Sequence, residues 1–138
     1  MKAFLHSHTY SGNPLGCAAA LAVQQIMRED HVLDKAAENA GYLAAEMQKV
    51  FGQHKNVGEI RHIGLINAME LVADKLTKAP LDSSKRTGYQ IYKQALKHGL
   101  VLRPLGDVLY FNPALNISRT ELDEAIKLTK QSMAEILG

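Results

Sequence analysis

Apolar residues along this chain recur at helical spacing in four segments, with period-two alternation between them. Asn13-Pro14 opens the first helix, because asparagine can cap free N–H groups and proline at the first helical position loses no needed donor. Leu15 to Met27 then carries Ala18, Ala19, Ala20, Leu21, Ala22, Val23 and Ile26. Apolar residues on nearly every side predict a helix packed closely on several neighbours. The second helix, roughly His31 to Phe51, has a one-sided stripe of Leu33, Ala36, Ala40, Leu43, Met47 and Val50.

Val57 to Val72 reads as a strand in which Gly58 and Gly64 mark bends or bulges. Its alternation places Leu65, Asn67, Met69 and Leu71 on one face, and Ile66, Ala68, Glu70 and Val72 on the other. Lys75 to Ser84, with Pro80, reads as a loop. A third helix runs from about Ser84 to Lys97, and Gly99 stands where a left-handed C-cap residue belongs. Leu100 to Arg103 and Val108 to Phe111 form two short strands around Gly106-Asp107, a hairpin signal. Pro104 cannot donate to a ladder, so Arg103 belongs at a strand end or bulge. Ser118-Arg119-Thr120-Glu121 is a capping box opening the last helix, which turns Leu122, Ala125, Ile126, Thr129, Met133 and Ile136 inward. This order predicts an α+β fold, a small, mostly antiparallel sheet covered by helices.

Composition narrows the class of function. At 138 residues, 46% hydrophobic and 22% charged, the chain suits one modest globular domain. Sixteen basic against fourteen acidic residues leave a net charge of +2. That balance is too mild for a nucleic-acid or anionic-membrane partner, and no stripe of Lys and Arg stands out along the chain. A single cysteine, Cys17, excludes an internal disulfide and fits a reducing compartment. No segment resembles a signal peptide and none approaches the ~20 apolar residues of a membrane span. A cytoplasmic protein is expected. Met1 to Ser11, polar and without a helical or strand period, is an unusual opening for a self-standing domain and reads as the continuation of an upstream body.

Two segments carry chemistry. The first is His6-Ser7-His8-Thr9-Tyr10-Ser11-Gly12-Asn13-Pro14-Leu15-Gly16. Its histidines lack a third ligand at any recognised spacing, so a metal site is not expected. The Thr9 hydroxyl and nearby backbone N–H groups could instead hold a phosphate through charge-assisted hydrogen bonds. The glycine spacing and lysine of a P-loop are missing. The second is Leu102-Arg103-Pro104-Leu105-Gly106-Asp107-Val108-Leu109-Tyr110-Phe111-Asn112-Pro113. An arginine at a hairpin edge is ordinarily a surface residue. This one follows apolar strand residues and precedes a proline and a tight turn, which directs it toward a cleft. A fixed guanidinium there suits bidentate binding of a carboxylate.

The run His8-Thr9-Tyr10-Ser11-Gly12-Asn13-Pro14-Leu15, followed by an alanine-rich helix, resembles the segment after the large domain in class III aminotransferases of fold type I. The resemblance covers the whole chain but only the last third of such an enzyme. It implies pyridoxal 5′-phosphate (PLP) as cofactor and a homodimer in which Thr9 reaches across to the partner subunit's PLP phosphate. His8 would shape that pocket through its backbone, and Ser7 would border the substrate. Residues 1–13 would then be the cofactor-phosphate loop, and 14–138 a helix plus the C-terminal small domain. The Arg103 run resembles the members of the class that make 7,8-diaminopelargonate in biotin biosynthesis, where the matching arginine grips the carboxylate of 7-keto-8-aminopelargonate. The amino donor would be S-adenosylmethionine or lysine. The Schiff-base lysine belongs to the upstream domain, so no catalytic residue is assigned in this chain, and the chain alone is expected to be inactive. Two other readings stand beside this one: a different class III ω-aminotransferase, and a non-catalytic α+β binding module.

Overall fold

A computed structural model describes residues 9–138. By contact density the chain divides into two compact units, 1–33 and 34–138. In the first, helix α1 (Pro14–Glu29) starts where expected, with the Asn13 side chain accepting from the N–H groups of Leu15 and Gly16. The expectation of a closely packed helix is not met within this chain. Every α1 residue is exposed except the half-buried Met27, and Cys17 is exposed as well.

The second unit is a two-layer arrangement. Helix α2 (Val32–Phe51) leads into strands β1 (Val57–Ile63) and β2 (Ile66–Leu71), helix α3 (Thr87–Lys97), strands β3 (Arg103–Leu105) and β4 (Val108–Phe111), and helix α4 (Arg119–Leu137). The strands form one antiparallel sheet in the order β1-β2-β4-β3. Leu65, Asn67, Met69 and Leu71 are all buried, as the alternation requires. Four of the core's largest apolar side chains, Leu43, Met47, Phe51 and Met69, join with Ile91 of α3 and Leu122, Ile126 and Met133 of α4 in one cluster. All three helices therefore cover the same face of the sheet. Among the described residues, no helix is long and apolar enough to cross a membrane.

Three boundaries and one burial pattern differ from the sequence reading. Val57 to Val72 is a hairpin rather than one strand: Ile63 pairs with Ile66, and Gly64 closes the turn at φ +53°. Gly58 does mark a bulge, since the register slips between Val57 and Glu59. The third helix begins at Thr87, because Arg86 adopts a left-handed conformation (φ 50°) after a short 3-10 turn over Ser83–Lys85. Ordered pairing of the third strand begins at Arg103 and excludes Leu100 to Leu102. In α2 the inward stripe holds except at Leu33, which is 62% exposed, and Asn39 is buried instead. Asn39 donates to the carbonyl of Ile117 at 2.7 Å and so ties α2 to the segment before α4.

α3 lacks a local cap. Arg86 offers no side-chain hydrogen bond to it, and the Asp107 carboxylate of the β3–β4 turn accepts from the Gly88 N–H at 3.2 Å instead. A carboxylate at a helix N-terminus both satisfies a free donor and complements the helix dipole.

His54, half-buried after α2, accepts from the Asn56 N–H through Nδ1 at 3.1 Å. Burial first, then Lys55 and Lys75, hold its pKa below the usual 6.5. The unfolded chain takes up this proton first, so the stability it contributes is complete above 6.5 and is lost as the pH falls through the lower folded-state value. Urea titrations of wild type and His54→Gln from about pH 7 to about pH 5 should show a shallower loss in the variant. Identical slopes would remove His54 from the acid sensitivity of this fold.

Candidate functional site

Arg103 opens β3, an edge strand, and stands directly opposite Tyr110 of β4. Directly paired residues of an antiparallel ladder project to the same face. Leu109 and Pro104 turn toward the helices, so Arg103 and Tyr110 lie on the face the helices leave open, together with Ala68 of β2. Pro104 needs no ladder donor at an edge, which is why an Arg-Pro pair can stand there. Arg103 and Tyr110 line a cleft of about 390 Å³ whose other walls include Leu100, Leu102, Phe111, Pro113 and Ile117. A strongly polar group at the mouth of a largely apolar cleft is the usual composition of a small-molecule site.

What sets Arg103 apart is its lack of a partner among the described residues. Of the four arginines in residues 34–138, three are engaged. Arg61 pairs with Glu59 and Glu70, at 3.1 and 3.0 Å. Arg86 lies over the Tyr89 ring, and Arg119 over the Tyr42 ring. No hydrogen bond, ion pair or ring contact holds the Arg103 guanidinium among the described residues. An exposed guanidinium with free donors can accept a carboxylate through two parallel N–H···O bonds.

Tyr110 received no role from the sequence, yet it is the closest neighbour in register. The signal was present: a two-residue turn at Gly106-Asp107 fixes Leu105 against Val108 and hence Arg103 against Tyr110.

The other proposed site lies in the first unit. Thr9 is exposed at the start of a turn that runs to Gly12, where φ is +72°, and the Asn13 N–H closes on the Tyr10 carbonyl at 3.3 Å. Asn13 already satisfies the first N–H groups of α1, so the helix N-terminus has no free donors to offer there. Among the described residues no hydrogen bond holds the Thr9 hydroxyl. Ser7 and His8 lie outside the described residues. All described lysines are exposed except Lys75, and its ammonium is spent on the Gly52 carbonyl at the end of α2. Among the described residues no group of three or more His, Cys, Asp or Glu side chains is placed to hold a metal ion.

Comparison with known proteins supplies the context for both sites. Residues 1–133 match the aminotransferase class-III family. The adenosylmethionine-8-amino-7-oxononanoate aminotransferase of Geobacter sulfurreducens is 38% identical over 138 residues, covering all of this chain and 30% of that protein. The diaminobutyrate–2-oxoglutarate transaminase of Halomonas elongata is 35% identical over 133 residues, which is 95% of this chain and 28% of that one. The solved structure of the omega transaminase of Pseudomonas jessenii in complex with PMP matches with a TM-score of 0.87 at 33% identity, covering 95% of this chain and 29% of that chain. The chain thus spans about 30% of the length of the curated relatives it matches.

Proposed function

Because the chain belongs to the class-III aminotransferases, we propose that it forms the C-terminal part of an enzyme transferring an amino group to 7-keto-8-aminopelargonate. The observation that carries this reading is the free guanidinium of Arg103 at the mouth of a mainly apolar cleft. A carboxylate at the end of an aliphatic chain satisfies both halves of that surface, with the charge on Arg103 and the methylenes on Leu100, Leu102 and Phe111. The cofactor of the family is PLP, which when bound supplies the electron sink for amino transfer.

The resemblance to the family supports the following roles for this chain's residues. The Thr9 hydroxyl donates to the cofactor phosphate of the partner subunit in a homodimer, with the His8 backbone shaping the same pocket and the Ser7 main chain bordering the substrate. Arg103 holds the substrate's far end, a contact that sets how tightly the substrate binds. No lysine of this chain is assigned to the Schiff base. S-adenosylmethionine and lysine both remain candidate donors. The resemblance to a diaminobutyrate transaminase favours a second reading, a class III ω-aminotransferase with another acceptor.

Arg103→Lys in the full-length enzyme separates the two. Lysine keeps the charge but not the planar pair of donors, so the KM for the keto acid is expected to rise about tenfold to a hundredfold. The kcat at saturation should fall much less, since the lost contact is made in ground and transition states alike. A KM within about twofold of wild type would exclude carboxylate binding by Arg103 and leave the second reading.

A further inference from the structure

We propose that the outer face of α3 is a docking surface for an extended acidic peptide segment of a protein partner. The sequence shows no Lys/Arg stripe in linear order, but folding assembles one. Tyr89, Lys93 and Lys97 recur at four-residue spacing and so share one side of α3, with Arg86 at its N-cap and Lys85 beside it. All five are exposed and border one groove against Ile136 of α4.

None of these four cations is ion-paired among the described residues. Residues 82–97 hold four cations against one carboxylate, whereas the whole chain nets only +2. That carboxylate, Asp82, already accepts from Ser84. The nearest carboxylate on α4, Glu135, is taken up by Gln94, His98 and Gln131. Tyr89 organises the stripe: Arg86 lies 4.5 Å and Lys93 5.3 Å from its ring centre. Holding two flexible cations over one ring reduces the freedom a ligand must remove on binding.

Length and spacing select the occupant. From Tyr89 to Lys97 the helix rises about 12 Å, with Arg86 beyond its N-terminal end, and from Lys93 to Lys97 it rises about 6 Å. Alternate side chains of an extended peptide lie about 6.6 Å apart on one face, so five or six residues with alternating carboxylates span the stripe. A nucleic acid needs a broader basic face and a more basic domain than one helix edge on a chain of pI about 8.7.

The test is fluorescence anisotropy with the 138-residue chain and a fluorescein-labelled peptide of twelve glutamates at low ionic strength. Arg86→Gln/Lys93→Gln/Lys97→Gln is expected to weaken binding by about tenfold or more. Lys49→Gln/Lys127→Gln/Lys130→Gln removes the same charge from elsewhere on α2 and α4, and should change affinity by less than about twofold if α3 is the site. Tyr89→Leu keeps every charge and is expected to weaken binding by about threefold through lost organisation of the cations. The proposal is overturned if the peptide does not bind the wild-type chain, or if both triple variants lose affinity equally. Tighter binding of a twelve-nucleotide single-stranded DNA than of the peptide would overturn it in favour of nucleic acid.

Discussion

Gly88→Ala is expected to lower the unfolding free energy by about 1–3 kcal/mol, the usual cost of overfilling a packed contact. A Cβ at this position would sit 2.2 Å from the carbonyl oxygen of Gly106. That oxygen is backbone, so no side-chain rotation relieves the clash. Either α3 or the Gly106-Asp107 turn must move, and the bond from the Gly88 N–H to Asp107 is lost with it. The turn is also what sets Leu105 against Val108 and Arg103 against Tyr110. The substitution should therefore disturb the candidate site as well as stability. Gly41→Ala is the matched control, since a Cβ there meets nothing within 4 Å on an exposed turn of α2. It is expected to stabilise by about 0.5–1 kcal/mol. Urea midpoints of the two variants should move in opposite directions, and a Gly88→Ala midpoint equal to wild type would refute the close approach.

Leu43→Ala is expected to cost about 2–5 kcal/mol, because Leu43 is fully buried beneath the sheet and its removal leaves a cavity. Leu21→Ala on α1 should cost less than about 0.5 kcal/mol in the same chain, where Leu21 is 72% exposed. Both leucines lie in helices that the apolar pattern alone would call buried. Equal losses in thermal or urea unfolding would contradict the uncovered state of α1. In a full-length enzyme the expectation for Leu21 reverses, since an apolar, alanine-rich helix of this kind is built to be covered.

The helices were legible from an apolar pattern in α1, α2 and α4 and from punctuated ends in α1, α3 and α4: Asn13-Pro14, Gly99, and the Ser118–Glu121 box, which forms with both of its reciprocal bonds. The Gly106-Asp107 hairpin was legible for the same reason, a polar turn pair between apolar runs. The Gly64 hairpin was not. Apolar Ile63, Leu65 and Ile66 flank that glycine, so the alternation runs through the turn without a polar interruption. The start of α3 was misplaced by three residues because its cap, Asp107, comes from nineteen residues further along the chain. No local pattern carries such a bond. For the site, Arg103 and Thr9 could be singled out by residue type and setting. That Arg103 has no partner among the described residues, against three engaged arginines in residues 34–138, depends on which carboxylates and rings folding brings near.

By itself the sequence determined where most of the helices and strands lie and which face of β2 is buried, and it singled out Thr9 and Arg103 by residue type and setting. These are consequences of period, capping and turn chemistry, all acting over a few residues. Only the tertiary structure decided the strand order β1-β2-β4-β3, the pairing of Arg103 with Tyr110, the exposure of α1, and the alignment of Arg86, Lys93 and Lys97 beside Tyr89. Each of these depends on contacts between residues distant in sequence or on the pitch of a helix, and burial and charge are settled by what finally packs against what.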